Sequence, residues 1–260
     1  MSVIQIRKEA SSGVITLNRP DQRNAMSREL LSQLHQAFQD LHQERSVRTV
    51  ILTGAGSAFC AGMDLKEMLA TSELPDPYPQ WHDDAVQYKE LIEFMLLFPK
   101  PIIAAVNGPA VAGGAGLVVA SDLVVAGTNA KFGFPEPLRG IVAGLVSPLL
   151  AFRIGAGRAA DLLLTSRLIE ADVAERMGVY HQLVAEDQVF DAALGTAAHC
   201  AAAAPEALQL TKKMINETIG ESLIRELASG AAISATSRTT EAAAAGLKAF
   251  IEKREPKWDS

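Results

Sequence analysis

The sequence comprises 260 residues, 48% of them apolar, with 24 Lys and Arg against 30 Asp and Glu for a formal net charge of −6. This length supports one large domain, or a domain with an appendage, around a sizeable core, and the acidic balance speaks against a nucleic-acid binder, whose phosphate contacts need clustered cations. Cys60 and Cys200 form neither a CxxC motif nor a disulfide framework, and Met1 to Glu9 lacks a signal peptide's apolar stretch, so the cytosol is the expected compartment.

In chain order, Val14 to Leu17 reads as a strand stopped by Asn18-Arg19-Pro20. Ser27 is placed to cap a helix whose apolar face is Leu30, Leu31, Leu34, Phe38 and Leu41. Val47 to Thr53 is a β-branched strand ending at Gly54-Ala55-Gly56. Thr71 to Pro79, with three prolines, reads as a surface loop or lid, and a helix is expected from Asp83 to Phe98, ending before Pro99 and Pro101. Ile102 to Val106 is a buried strand, Gly113 to Ala120 a short helix opened by glycines, and Leu123 to Ala126 another strand. Lys131 to Glu136 is a turn. Ser147-Pro148 resembles an N-cap followed by Pro at the first helical position. Short helices follow at Ala159 to Leu164 and Glu170 to Met177, the second closed by Gly178, and Tyr180 to Val184 is the last strand. From Phe190 onward Ala, Leu, Glu and Lys dominate and the strands stop. The class is therefore α/β with a helical appendage. Pro101 to Gly127 is nearly uncharged and long enough to cross a bilayer, but Asn107, Pro109, Asp122 and four glycines break it into strand, turn, helix and strand; no membrane association is expected.

Two glycine-bearing segments carry the chemistry. Ala58-Phe59-Cys60-Ala61-Gly62-Met63-Asp64-Leu65-Lys66 and Asn107-Gly108-Pro109-Ala110-Val111-Ala112-Gly113-Gly114 each follow a strand-like apolar run. Few bulky side chains keep a ligand off these backbones. Either turn alone could be mere chain reversal. Together they can aim two N–H groups at one oxygen, an oxyanion hole. Competing readings lack support. His35 and His42 have no companion ligands at zinc spacing, Cys60 has no evident histidine partner, and neither a phosphate-binding P-loop nor a dinucleotide fingerprint is present.

These residues resemble the crotonase (enoyl-CoA hydratase/isomerase) superfamily along almost the whole chain. The matching segments are Asn18-Arg19-Pro20 with Asn24-Ala25, Leu52-Thr53-Gly54, Phe59 to Leu65, Ala104 to Gly108, Ala112-Gly113-Gly114, Phe132-Gly133 with Pro135-Glu136, Ala174 to Gly178, and Phe250 with Glu252-Lys253-Arg254. The resemblance implies a spiral of strand–strand–helix repeats over residues 1–195, carrying an acyl-CoA site, and a helical trimerisation region over 196–260. It implies a homotrimer or dimer of trimers, acyl-CoA as the small-molecule partner, and no cofactor beyond the coenzyme A of the substrate. It assigns the oxyanion donors to the backbone N–H groups of Met63 and Gly113 and the proton-transferring carboxylate to Glu136. In an apolar pocket that carboxylate's pKa would rise, as suits an acid/base group. Substrate contacts are expected from Arg23, Ala25, Ala61, Met63, Asp64, Leu65, Lys66, Gly113, Gly114 and Pro135, with Phe250 and Lys253 reaching the CoA of a neighbouring subunit. Trp81, Tyr88, Met95 and Phe134 are candidates to shape the acyl pocket.

One departure bears on the reaction. Typical hydratases of the superfamily carry a first catalytic glutamate where this chain has Gly116. The wider pattern resembles the hydratase branch, so hydration of a 2-enoyl-CoA is the leading expectation. A single glutamate suffices to move a double bond from the 3- to the 2-position, which makes the isomerase the alternative. A non-catalytic acyl-CoA-binding protein and a thioester hydrolase are further possibilities.

Overall fold

The computed structural model describes residues 2–256 and 258. The chain opens with an antiparallel hairpin, β1 (Ile4–Glu9) and β2 (Ser12–Leu17), followed by α1 (Arg28–Gln43) and β3 (Thr49–Gly54). Ser27 caps α1 by accepting from the Leu30 N–H at 3.2 Å, and the expected apolar face is buried. Next come α2 (Leu65–Ser72), α3 (Tyr78–Leu97), β4 (Ile102–Val106), β5 (Ala110–Val111), α4 (Gly113–Ala120), β6 (Leu123–Gly127) and β7 (Lys131–Gly133). A 3-10 turn over Glu136–Arg139 leads to α5 (Val146–Ile154), α6 (Ala156–Thr165), β8 (Ile169–Glu170), α7 (Ala171–Met177) and β9 (Gln182–Val184). The remainder is helical: α8 (Val189–Ala201), α9 (Pro205–Lys213), a π-helical turn at Met214–Ile219, α10 (Glu221–Ser237) and α11 (Glu241–Ile251).

The main sheet has strand order β1-β2-β3-β4-β6-β9, parallel from β2 onward, and β5-β7-β8 form a second, smaller sheet. Parallel strands covered on both faces need apolar side chains in both directions, which is why Val50-Ile51-Leu52 and Ile102 to Val106 are unbroken apolar runs. Alternation sorts them. Val50, Leu52, Ala104 and Val106 join the large core against α1, α3 and α4. Val14, Ile51, Ile103 and Val125 point the other way and are covered by Val189, Ala193 and Ala197 of α8. Helix α8 thus runs across residue 195 and completes the packing of the sheet.

The β4, α4, β6 and α7 expectations match to within a residue or two. The Thr71–Pro79 region differs. Helix α2 runs to Ser72 and α3 begins at Tyr78, so the irregular stretch is only 73–77. Proline is tolerated in the first turn of a helix, and Pro79 sits there. Ser147 also departs from its assignment as N-cap. Leu145 holds that position and Ser147, already inside α5, donates to the Ala143 carbonyl at 2.6 Å. Among the described residues, no helix is long and apolar enough to cross a membrane.

Candidate active site

The two glycine-bearing turns lie side by side. Parallel bridges join Cys60 to Ala110 and Met26 to Met63, and the Val111 N–H donates to the Cys60 carbonyl at 2.9 Å. Gly62 has φ +93°, and a Cβ built on it would lie 2.8 Å from Ala112 Cβ and 3.3 Å from Gly113 N. The two backbones can approach this closely only because that side chain is missing. Around Met63 the bridge uses the Gly62 carbonyl and the Asp64 N–H, which bond Met26 at 2.8 and 2.9 Å and leave the Met63 N–H outside the ladder. Gly113 opens α4, so its N–H has no acceptor within the helix. Ala112, just before it, is held at φ 55°, ψ −130°, a costly conformation for a residue with a Cβ.

Asn24 fastens the first turn from behind. Itself at φ 55°, it donates to the carbonyls of Ala55, Ala58 and Phe59 at 2.8–3.1 Å and accepts from the Arg19 N–H at 2.9 Å. Arg19 pairs with Asp64 at 2.8 Å, and Asp64 also caps α2 through the Lys66 N–H.

Met63 and Gly113 open onto a cavity of about 820 Å³. Exposed Arg23 and Lys66 stand at its mouth, while Tyr88, Leu145, Val146 and Arg238 line its buried part. Glu136 enters from the 3-10 turn after Pro135. It is buried, and its Oε2 has no hydrogen-bond partner among the described residues. Burial raises its pKa to about 7, with the Glu136 N–H and the Arg139 charge pulling the other way.

Tyr88 stands next to Gly116. A Cβ at Gly116 would collide with Tyr88 Oη and lie 2.5 Å from Val146 Cγ1. The phenol donates to the Gly113 carbonyl at 2.6 Å. Burial raises its pKa well above the ordinary value, and the charges of Cys60 and Glu136 add to that, so it stays a neutral hydroxyl.

The sequence profile described as "Enoyl-CoA hydratase/isomerase" matches residues 7–260. The chain belongs to this enzyme family. A Thermus thermophilus protein named "Putative enoyl-CoA hydratase" is 39% identical over 256 residues, covering 98% of this chain and 100% of that protein. The "Short-chain-enoyl-CoA hydratase" of Clostridium acetobutylicum is 31% identical, covering 96% and 95%. A crystal structure of an enoyl-CoA hydratase/isomerase from Xanthobacter autotrophicus Py2 superposes with TM-score 0.90 at 28% identity, covering 100% of this chain and 99% of that one. The crotonase-type α/β fold and a family role in acyl-CoA chemistry follow.

Within this enoyl-CoA hydratase/isomerase fold, Arg23, Ala25, Ala61, Met63, Asp64, Leu65, Lys66, Gly113, Pro135, Glu136 and Phe250 all line the one cavity. Gly114 does not. A Cβ there would collide with the Cys60 carbonyl oxygen, so Gly114 lets α4 pack onto the neighbouring turn. Lys253 lies instead in an adjoining groove between α2 and the end of α11. Phe250 lines the cavity of its own chain, where its ring stacks 4.4 Å from the Arg139 guanidinium. Of the four acyl-pocket candidates only Tyr88 lines the cavity; Met95 and Phe134 belong to the core, and Trp81 is buried outside the lining. Sequence reading missed Arg139, Asp84 and Arg238, which line the cavity, and Arg28, which holds Asp84. They sit on the α1 and α3 helices, in the 3-10 turn or at the end of α10, where charged residues are ordinarily solvated.

Proposed function

We propose that this chain hydrates a 2-enoyl-CoA thioester to the 3-hydroxyacyl-CoA. The observation that carries the reading is the buried Glu136 carboxyl, whose Oε2 has no hydrogen-bond partner among the described residues, in a cavity also lined by Met63, Gly113 and Tyr88. The thioester oxygen would accept from the Met63 and Gly113 N–H groups, the donors that stabilise negative charge at that atom. Glu136, as the carboxylate, removes a proton from water while the water oxygen bonds C3. The C2–C3 π electrons move onto the thioester as an enolate, and Glu136 returns the proton to C2. Tyr88 takes over part of the task of the absent glutamate at position 116. Its proton is committed to Gly113, and its oxygen accepts a hydrogen bond from the water.

Isomerisation of a 3-enoyl-CoA is the second reading, favoured by the shortage of free carboxylates. Asp64 is engaged by Arg19 and the Lys66 N–H, and Asp84 by Arg28 and Gln80. The two separate in a cuvette. Hydration removes the conjugated absorbance of crotonyl-CoA, and isomerisation creates it from a 3-enoyl-CoA. Hydration is expected to be the faster by kcat/KM. Activity only on the 3-enoyl substrate assigns the isomerase, and binding without either reaction assigns a binding protein.

Tyr88→Phe is expected to lower hydration about tenfold, the scale of one lost hydrogen bond, and to lower 3-enoyl isomerisation less. Equal losses in both would reduce Tyr88 to a prop for α4. A homotrimer, or dimer of trimers, is part of this reading, and a subunit contact would cover the exposed Leu210, Met214 and Ile219 of the α9 and π-helical segment. Unpartnered apolar side chains of this kind mark contact surfaces.

A further inference from the structure

The buried part of the cavity holds an arginine, Arg238. Arg238 follows the last turn of α10, and its backbone N–H bonds the Ala235 carbonyl at 3.2 Å. The residue is only 8% exposed, it lines the cavity, and its Nη1 is buried with no hydrogen-bond partner among the described residues. Ser234, Leu145 and Val146 line the same cavity.

Asp84 is the cavity carboxylate whose charge reaches Arg238, but it is already held. Arg28 grips it in a fork, Nε to Oδ1 at 2.6 Å and Nη2 to Oδ2 at 2.9 Å, and Gln80 adds a third bond to Oδ1 at 2.9 Å. Arg28 in turn donates to Thr71 at 2.7 Å. This network is closed without Arg238. Burying an ionised group without a partner is among the more expensive arrangements in a protein. A guanidinium kept in the wall of an acyl cavity is chemically suited to pair with a planar oxyanion.

We propose that Arg238 selects acyl-CoA substrates whose acyl tail ends in a carboxylate. This rests on reading the cavity as an acyl-CoA site and goes beyond it by naming the tail. The thioester end lies at Met63 and Gly113, the CoA leaves past Arg23 and Lys66, and the tail carboxylate pairs with Arg238 in the buried part. Leu145 and Val146 pack on the methylenes between.

The test is a calorimetric titration with saturated acyl-CoAs, which bind without reacting. Glutaryl-CoA and adipyl-CoA are compared with pentanoyl-CoA and hexanoyl-CoA, the uncharged chains of the same length. Wild-type protein should bind at least one dicarboxylic member about tenfold to a hundredfold more tightly than its uncharged counterpart, the range of a charged hydrogen bond. Arg238→Met should abolish or reverse that preference, and Arg238→Lys should keep part of it. Equal or weaker wild-type binding of both dicarboxylic ligands overturns the proposal, and that result needs no variant to fold. So does an undiminished preference in a folded Arg238→Met protein. Turnover of crotonyl-CoA without any dicarboxylic preference sinks this inference and leaves the hydratase reading standing. A dicarboxylic preference without turnover of any enoyl-CoA does the reverse.

Discussion

Glu136→Gln should lower kcat on a 2-enoyl-CoA by about 10³–10⁴-fold while leaving acyl-CoA binding largely in place, the scale expected when a positioned acid/base group is lost. The amide fits the same space but cannot carry the proton between water and C2. The pH profile of wild-type kcat/KM tests the same assignment. Burial lifts the Glu136 pKa to about 7, and the free enzyme must present the carboxylate, so activity should rise with pH through about 7. Stability should move the opposite way. A carboxyl whose folded pKa lies above its ordinary 4.5 binds more protons folded than unfolded. Wild-type stability should therefore fall, relative to Glu136→Gln, as pH rises from 4.5 to about 7. The difference is on the order of 3 kcal/mol for a shift of this size. Stopped turnover assays and thermal melts across pH 4–9 read both. A variant with wild-type turnover, or a pH profile flat through 7, removes Glu136 from the chemistry.

Gly62→Ala should be the second most damaging change. Its methyl would press on Ala112 Cβ at 2.8 Å and the Val111 carbonyl at 3.1 Å, at a φ of +93° that a residue with Cβ rarely adopts. Backbone would have to move, and the backbone that moves carries the Met63 and Gly113 N–H groups. Loss of one oxyanion donor lowers rate by about 10²–10³-fold, and the strained conformation adds about 1–3 kcal/mol of instability. The expected signature is a fall in kcat of that size with a smaller change in the affinity for a saturated acyl-CoA. If a folded Gly62→Ala protein keeps its kcat, the two N–H groups are not where the charge develops.

Much of this was legible in residues 10–130 because the signals there are local. Apolar and β-branched runs mark β2, β3 and β4, a serine cap and an apolar helical stripe mark α1, and glycines open α4. Met63 and Gly113, one from each turn, line one cavity, while Gly114 packs α4 against the neighbouring turn. What escaped reading depends on approach between distant segments. The two-residue strands β5 and β8 have no pattern long enough to register; they exist because the smaller sheet pairs them with β7. Tyr88, expected at the acyl pocket, lines it, but its place beside α4 depends on the missing side chain at Gly116. Arg238 lies in a run of serines and threonines at a helix end, with nothing in sequence to show that it faces inward.

The stacking of Phe250 on Arg139, and the presence of Arg238 in the same cavity, mean that it is bounded both by the spiral and by the last thirty residues of the chain. A molecule filling that space touches both at once. Occupancy and the docking of α10 and α11 onto the spiral are therefore one equilibrium seen from its two ends, and ligand stabilises the attachment of the C-terminal helices by mass action.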